Sequence, residues 1–270
     1  MADMLAAPFL AALALKALLT AGFVVGALAA AEAAGPFWGG VLASLPVSAG
    51  PTYVLLARHH GAGFIAASAL ESLAANTATW AFLLVLIRLA PRARWPLALG
   101  AGLAAWLACS LALGSIAWTT GRAVALNVAA FAGALALTRD WAGPGAPGRA
   151  AAARRWYDLP LRGAMVATLT TAIVTLSHVL GPRVTGIAAV FPIMFTSLSL
   201  LALTRMGGAA TASMLAAGLR AQPGFALCML TVALTAARVG VWPAMGLGLA
   251  VSVAWTLGLI VRRRRAPVAA

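Results

Sequence analysis

Long apolar runs alternate with short polar breaks along the whole chain. A helix of about 20 apolar residues is long enough to cross a bilayer. Nine such spans are predicted: Pro8–Ala34, Pro36–Ala57, Ala62–Ala90, Pro96–Thr119, Ala123–Thr138, Gly163–Leu180, Pro182–Thr204, Gly208–Ala237 and Trp242–Val261. Between the fifth and sixth, Arg139 to Arg162 holds Gly143-Pro144-Gly145-Ala146-Pro147-Gly148 and the pair Arg154-Arg155. Glycine and proline at that density read as a loop.

The spans fall into two similar sets. Gly35-Pro36, Gly40, Pro46 and Gly61 recur as Gly181-Pro182, Gly186, Pro192 and Gly207, at a constant offset of 146 residues. These are residues that shape backbone, so their match in register points to an internal duplication. Trp95-Pro96 and Trp242-Pro243, at offset 147, extend it. Spans one to four then repeat as six to nine, with the fifth between them. A shift of five spans reverses direction, so the expected fold is an all-α, polytopic transmembrane bundle with an inverted 4+4 repeat. Its expected parts are residues 1–120 (first repeat), 121–160 (linking helix and cytoplasmic loop), 161–262 (second repeat) and 263–270 (basic tail).

Composition agrees with a lipid setting: of 270 residues, 63% are hydrophobic and 9% charged, against about a quarter charged in soluble domains. A net charge of +14 would suit nucleic acid, but the arginines sit between apolar runs and so read as topology signals. On the nine-span count, 13 basic residues flank one side and four the other, with Lys16 and Arg220 inside spans. The majority side includes Arg262–Arg265, so the C-terminus is expected in the cytoplasm and the N-terminus outside a bacterial inner membrane. The opening Met-Ala-Asp-Met lacks the basic flank of a signal peptide, and the first run reads as a retained span. The two cysteines, Cys109 and Cys228, lie in apolar runs and read as buried thiols.

Candidate chemistry concentrates at helix breaks. Pro46 and Pro51 bracket Ser48 in the second span, and Pro192 precedes Thr196 and Ser197 in the seventh. Paired breaks in corresponding spans are the sequence pointer to a transporter's binding site, although prolines with hydroxyl repair are also common kinks. Asn76 and Gln222 correspond at offset 146, and Pro223 follows at once. Such amides could bind a ligand, each other or nearby carbonyls. Glu71 and Arg220 are ionisable at mid-span, which costs at least about 2.5 kcal/mol without a partner. As a pair they would be neutral and structural; an unpaired Glu71 would be a candidate proton carrier. Lys16 reads as a snorkelling anchor. Glu32 and His178 read as loop-edge residues, and Arg58-His59-His60 as a basic turn without the further ligands a metal needs. No phosphate loop, zinc-protease helix or nucleophile elbow occurs. The expectation is of no enzyme, no metal site and no cofactor.

The segment Gly186-Ile187-Ala188-Ala189-Val190-Phe191-Pro192, followed by Gly207-Gly208 and a long span containing Pro223, resembles the small four-span inner-membrane proteins of the GlpM type. The likeness covers roughly 162–262 and, through the repeat, 16–119, where Leu45 stands in place of the phenylalanine. It implies two fused units and a role around envelope polysaccharide production, with no catalytic residues. Two functions are therefore expected. One is a secondary transporter or permease for a small solute, lined by Asn76, Gln222, Glu71, Arg220, Ser48, Thr196 and Ser197. The other is a non-transporting accessory protein of envelope assembly. The expected partners are the lipid bilayer and a small molecule or ion, not nucleic acid.

Overall fold

The computed structural model describes residues 22, 26, 49–139, 158–220 and 222–265. Apart from Gly22 and Gly26, the first span with its Glu32 lies outside the described residues, as do Pro46, Ser48 and most of the cytoplasmic loop. Every described element is a helix: α1 (Ala49–His59), α2 (Ala62–Leu89), α3 (Trp95–Gly114), α4 (Thr120–Leu137), α5 (Asp158–Ala189), α6 (Ile193–Arg205), α7 (Gly208–Leu219), α8 (Pro223–Val239) and α9 (Val241–Arg265). Among the described residues, five stretches are long and apolar enough to cross a membrane: Ala62–Leu89, Trp95–Gly114, Thr120–Leu137, Gly163–Arg205 and Val241–Leu259.

Helix ends follow local chemistry. Pro96 and Pro223 stand in the first turns of α3 and α8, where their missing N–H is not needed. Thr119 caps α4 by accepting from the Arg122 N–H. Gly181, at φ 68°, bends α5 within its apolar stretch, a left-handed position where a Cβ would be strained. The chain breaks again at Phe191–Pro192 before α6, and once more at Arg220–Gln222 between α7 and α8. The predicted sixth and seventh spans fall within one long apolar stretch, Gly163–Arg205, bent at Gly181 and broken at Pro192, and the predicted eighth is divided into α7 and α8. Pro51, expected as a break, is the third residue of α1 as described.

The centre of the molecule is α2. It packs against α3, α8, α5, α4 and α7 and links the two large apolar cores. Its first half, through Ile65, Ala69 and Leu73, joins Tyr53, Met229 and Val232. Its second half, through Trp80, Phe82 and Leu86, joins Trp106, Leu215 and Leu219. By contrast α3, α4 and α9 turn large apolar residues outward, Leu111, Val128 and Leu247 among them. That is the surface a helix shows to lipid. Trp95 and Trp242 are exposed at the first turns of α3 and α9, where interfacial aromatics belong.

Two contacts bring helix backbones very close. A Cβ on Gly186 of α5 would fall 2.3 Å from the Ser68 carbonyl oxygen, and one on Gly208 of α7 would fall 1.8 Å from that of Ala90. Only glycine fits at either place, so these fix how α5 and α7 lie on α2.

Candidate functional site

The central helix α2 has no strong apolar stripe and buries Ser68, Ser72, Asn76 and Thr79. Near its middle, Asn76 is buried and donates from Nδ2 to Asn127 Oδ1 at 3.0 Å. Asn127 of α4 donates in turn to the Leu73 carbonyl at 2.7 Å and to that of Ala123 at 2.9 Å. The Asn76 Oδ1 atom has no partner. One turn earlier, Ser72 donates to the Gly186 carbonyl at 2.6 Å. Its single proton is thereby used, so the Tyr53 hydroxyl donates to Ser72 at 2.7 Å.

Glu71 faces α5. Its Oε1 lies 3.7 Å from Arg183 Nε, while Oε2 is buried with no hydrogen-bond partner. Arg183 also donates to the Ile116 carbonyl in the α3–α4 connection. The acid is therefore neutralised by an arginine that reaches in from the bend at Gly181, and not by Arg220. Arg220 is exposed at the α7–α8 break, and Gln222 is half-buried beside it. The Gln222 backbone carbonyl accepts from Phe225 and Ala226 and so starts α8. Asn76 and Gln222 stand 146 residues apart, the offset of the expected repeat, yet Asn76 has its amide partner on α4.

At the other break, Thr196 Oγ1 donates to the Pro192 carbonyl at 2.8 Å and Ser197 Oγ to that of Met194 at 3.0 Å. Both hydroxyls thus satisfy carbonyls in the first turn of α6. Nearby Ser199 is buried with an unpartnered hydroxyl.

Twelve buried side-chain polar atoms among the described residues lack a partner, and six of them lie on α2: Ser68 Oγ, Glu71 Oε2, Asn76 Oδ1, Thr77 Oγ1, Thr79 Oγ1 and Trp80 Nε1. Each unmade hydrogen bond costs about 1–3 kcal/mol in a dry interior. The six are distributed around the helix and do not share a single face.

Sequence reasoning singled out Glu71 and Asn76 but missed Arg183, Asn127, Tyr53 and Ser72. The available signals were the lone amide within the fifth span and an arginine directly after the helix-bending Gly181-Pro182. Among the described residues no group of three His, Cys, Asp or Glu side chains is placed to hold a metal ion. Comparison with protein-family models, with curated proteins and with solved structures finds no match.

Proposed function

We propose that this chain is a bacterial inner-membrane secondary transporter or permease, built as an inverted repeat around α4, that moves a small solute or ion along α2. The observation that carries the reading is the concentration of six buried, unpartnered polar atoms on that one central helix. A helix that served only to pack would bury such groups at a net loss, whereas one lining a hydrated route has partners for them.

The helix ends support the repeat. His59 and Arg205, Ala62 and Gly208, and Trp95 and Val241 bound their helices at the same 146-residue offset as the glycines and prolines. The two copies also meet α5 at opposite ends. His60, just after α1, bonds Ser177, while Arg205, which ends α6, bonds Asp158. Asp158 and Ser177 are separated by about 30 Å of helix at 1.5 Å per residue, the thickness of a bilayer core. Equivalent helix ends on opposite sides of one spanning helix are what copies of opposite direction produce. Taken with nine spans and the arginine distribution, this supports a cytoplasmic C-terminus.

The purified protein in proteoliposomes on a solid-supported membrane, challenged in turn with amino acids, organic acids, sugars and inorganic ions, should give a transient current or tracer uptake for one class. Asn76→Cys and Thr79→Cys, in a Cys109→Ser, Cys228→Ala background, should react with a water-soluble thiol reagent. Absence of flux for every class, together with inaccessible cysteines at both positions, refutes the reading and favours the accessory role in envelope assembly.

A further inference from the structure

Ser68, Ser72, Asn76 and Thr79 stand at i, i+4, i+8 and i+11 on α2, so their side chains leave one side of the helix. None of the four is more than 3% exposed. Ser72 is spent on the Gly186 carbonyl and the Tyr53 hydroxyl. Ser68 Oγ, Asn76 Oδ1 and Thr79 Oγ1 are open, while Glu71, Thr77 and Trp80 point elsewhere around the helix.

The open atom of Asn76 has a fixed polarity. A backbone carbonyl can only accept, so the Asn127 group that bonds the Leu73 and Ala123 carbonyls must be its NH2. Asn127 therefore turns its oxygen to Asn76, and Asn76 must turn its own NH2 to that oxygen. What remains is the Asn76 carbonyl oxygen, an acceptor that no rotation of either amide exchanges for a donor. Thr79, three residues on, shares its helix face. Thr196, Thr204, Thr211 and Thr231 each give the hydroxyl proton to the carbonyl four residues earlier. Thr79 makes no such bond, so both lone pairs of its hydroxyl stand open beside the amide oxygen.

We propose that Asn76 Oδ1 and Thr79 Oγ1 hold the transported solute, and that the group they hold is a hydrogen-bond donor of the organic ammonium class. This rests on the transport reading and adds the kind of solute. A buried acceptor recovers its lost hydration only from a donor, and a charged donor makes the stronger bond. A carboxylate or phosphate would set oxygen against oxygen where repulsion is poorly screened. A sugar brings an acceptor with every donor, whereas an ammonium brings donors alone. Glu71 adds to the preference. It stands about 7.5 Å of helix rise from Asn76, and its Oε2 is open while Arg183 faces Oε1.

Proteoliposomes of the full-length protein on a solid-supported membrane would be challenged with ethanolamine, putrescine and methylammonium, and separately with tetramethylammonium, glycolate, succinate and glycerol. A saturable current above that of protein-free vesicles is expected for at least one of the primary ammonium ions. Tetramethylammonium carries the same charge without an N–H and should give none. Asn76→Leu should abolish the ammonium current. Thr79→Val keeps the threonine shape and should raise the half-saturating concentration about tenfold or more, a test that survives if Asn76→Leu fails to fold. Thr79→Ser, which restores the hydroxyl, should bring the current back, as a packing role for the threonine methyl would not. Current from the anions or glycerol alone overturns this inference and leaves the transport reading standing. An equal current from tetramethylammonium, or an unchanged half-saturation in Thr79→Val, also overturns it. Silence from every solute class overturns both.

Discussion

The two ends of α5 hold equivalent helices by different chemistry. At its start, Asp158 receives both guanidinium nitrogens of Arg205 at 2.7 and 2.8 Å, with the aspartate buried. Near its bend, Ser177 and His178 receive His60 and its neighbour from α1. Arg205 occupies the position of His59 at the 146-residue offset. One end is thus a bidentate ion pair that keeps its charges across ordinary pH. The other rests on groups that change charge within that range. Positions 146 residues apart thus carry an arginine at one end of α5 and a histidine at the other.

The largest expected effect tests the firm end. Asp158→Ala leaves Arg205 without its bidentate partner in a poorly solvated place, and also removes an acid from the first turn of α5. Breaking such a pair costs about 3–5 kcal/mol, readable as a fall in unfolding free energy in mixed micelles. A loss below about 1 kcal/mol would make the two ends equal. Next comes Gly186→Ala, which drives a methyl onto the Ser68 carbonyl beside the titratable end. Overpacking of this kind costs about 1–3 kcal/mol, and the Tyr53–Ser72–Gly186 chain should weaken with it. Slower exchange of the Ser72 and Gly186 amides than in the parent would contradict that packing.

Asn127→Leu should follow, at about 1–2 kcal/mol, because it removes the α4 partner of Asn76 and the bond to the Leu73 carbonyl. If Asn76→Leu in the same background restores the loss, the pair is structural and the open Oδ1 is not a binding site. The smallest effect is that of acid on the histidine end. The unfolding midpoint should fall as pH drops below 6.5, because the His60 pKa is depressed in the fold. His178→Phe should flatten that slope, and Asp158→Ala should leave it unchanged.

Much of this helix order was legible in the sequence. The predicted third span matches α2 to within one residue, and the predicted fifth lies within three residues of α4 at its start. The breaks at Pro192 and Pro223 were legible because proline lacks the donor that a helix interior requires. Partners were not legible. A constant sequence offset relates positions and not contacts, so it could not say whether Asn76 and Gln222 meet. Asn76 instead turns to α4. Glu71 could be recognised as needing a cation, but the choice of Arg183 over Arg220 was set by the bend at Gly181. The gathering of the histidines was hidden for the same reason, since His60 and Ser177 stand 117 positions apart.

The polar content of α2 bears on how the chain is made. Its mean hydropathy of 1.5 is below the 2.1 of the Gly163–Arg205 stretch, and it carries an acid whose cation and serine acceptor come much later. The Ser72–Gly186 bond spans 114 residues. Arg183 and the Gly186 carbonyl are made well over a hundred residues after Glu71 and Ser72, so the buried polar contacts of the central helix can close only once α5 has been synthesised.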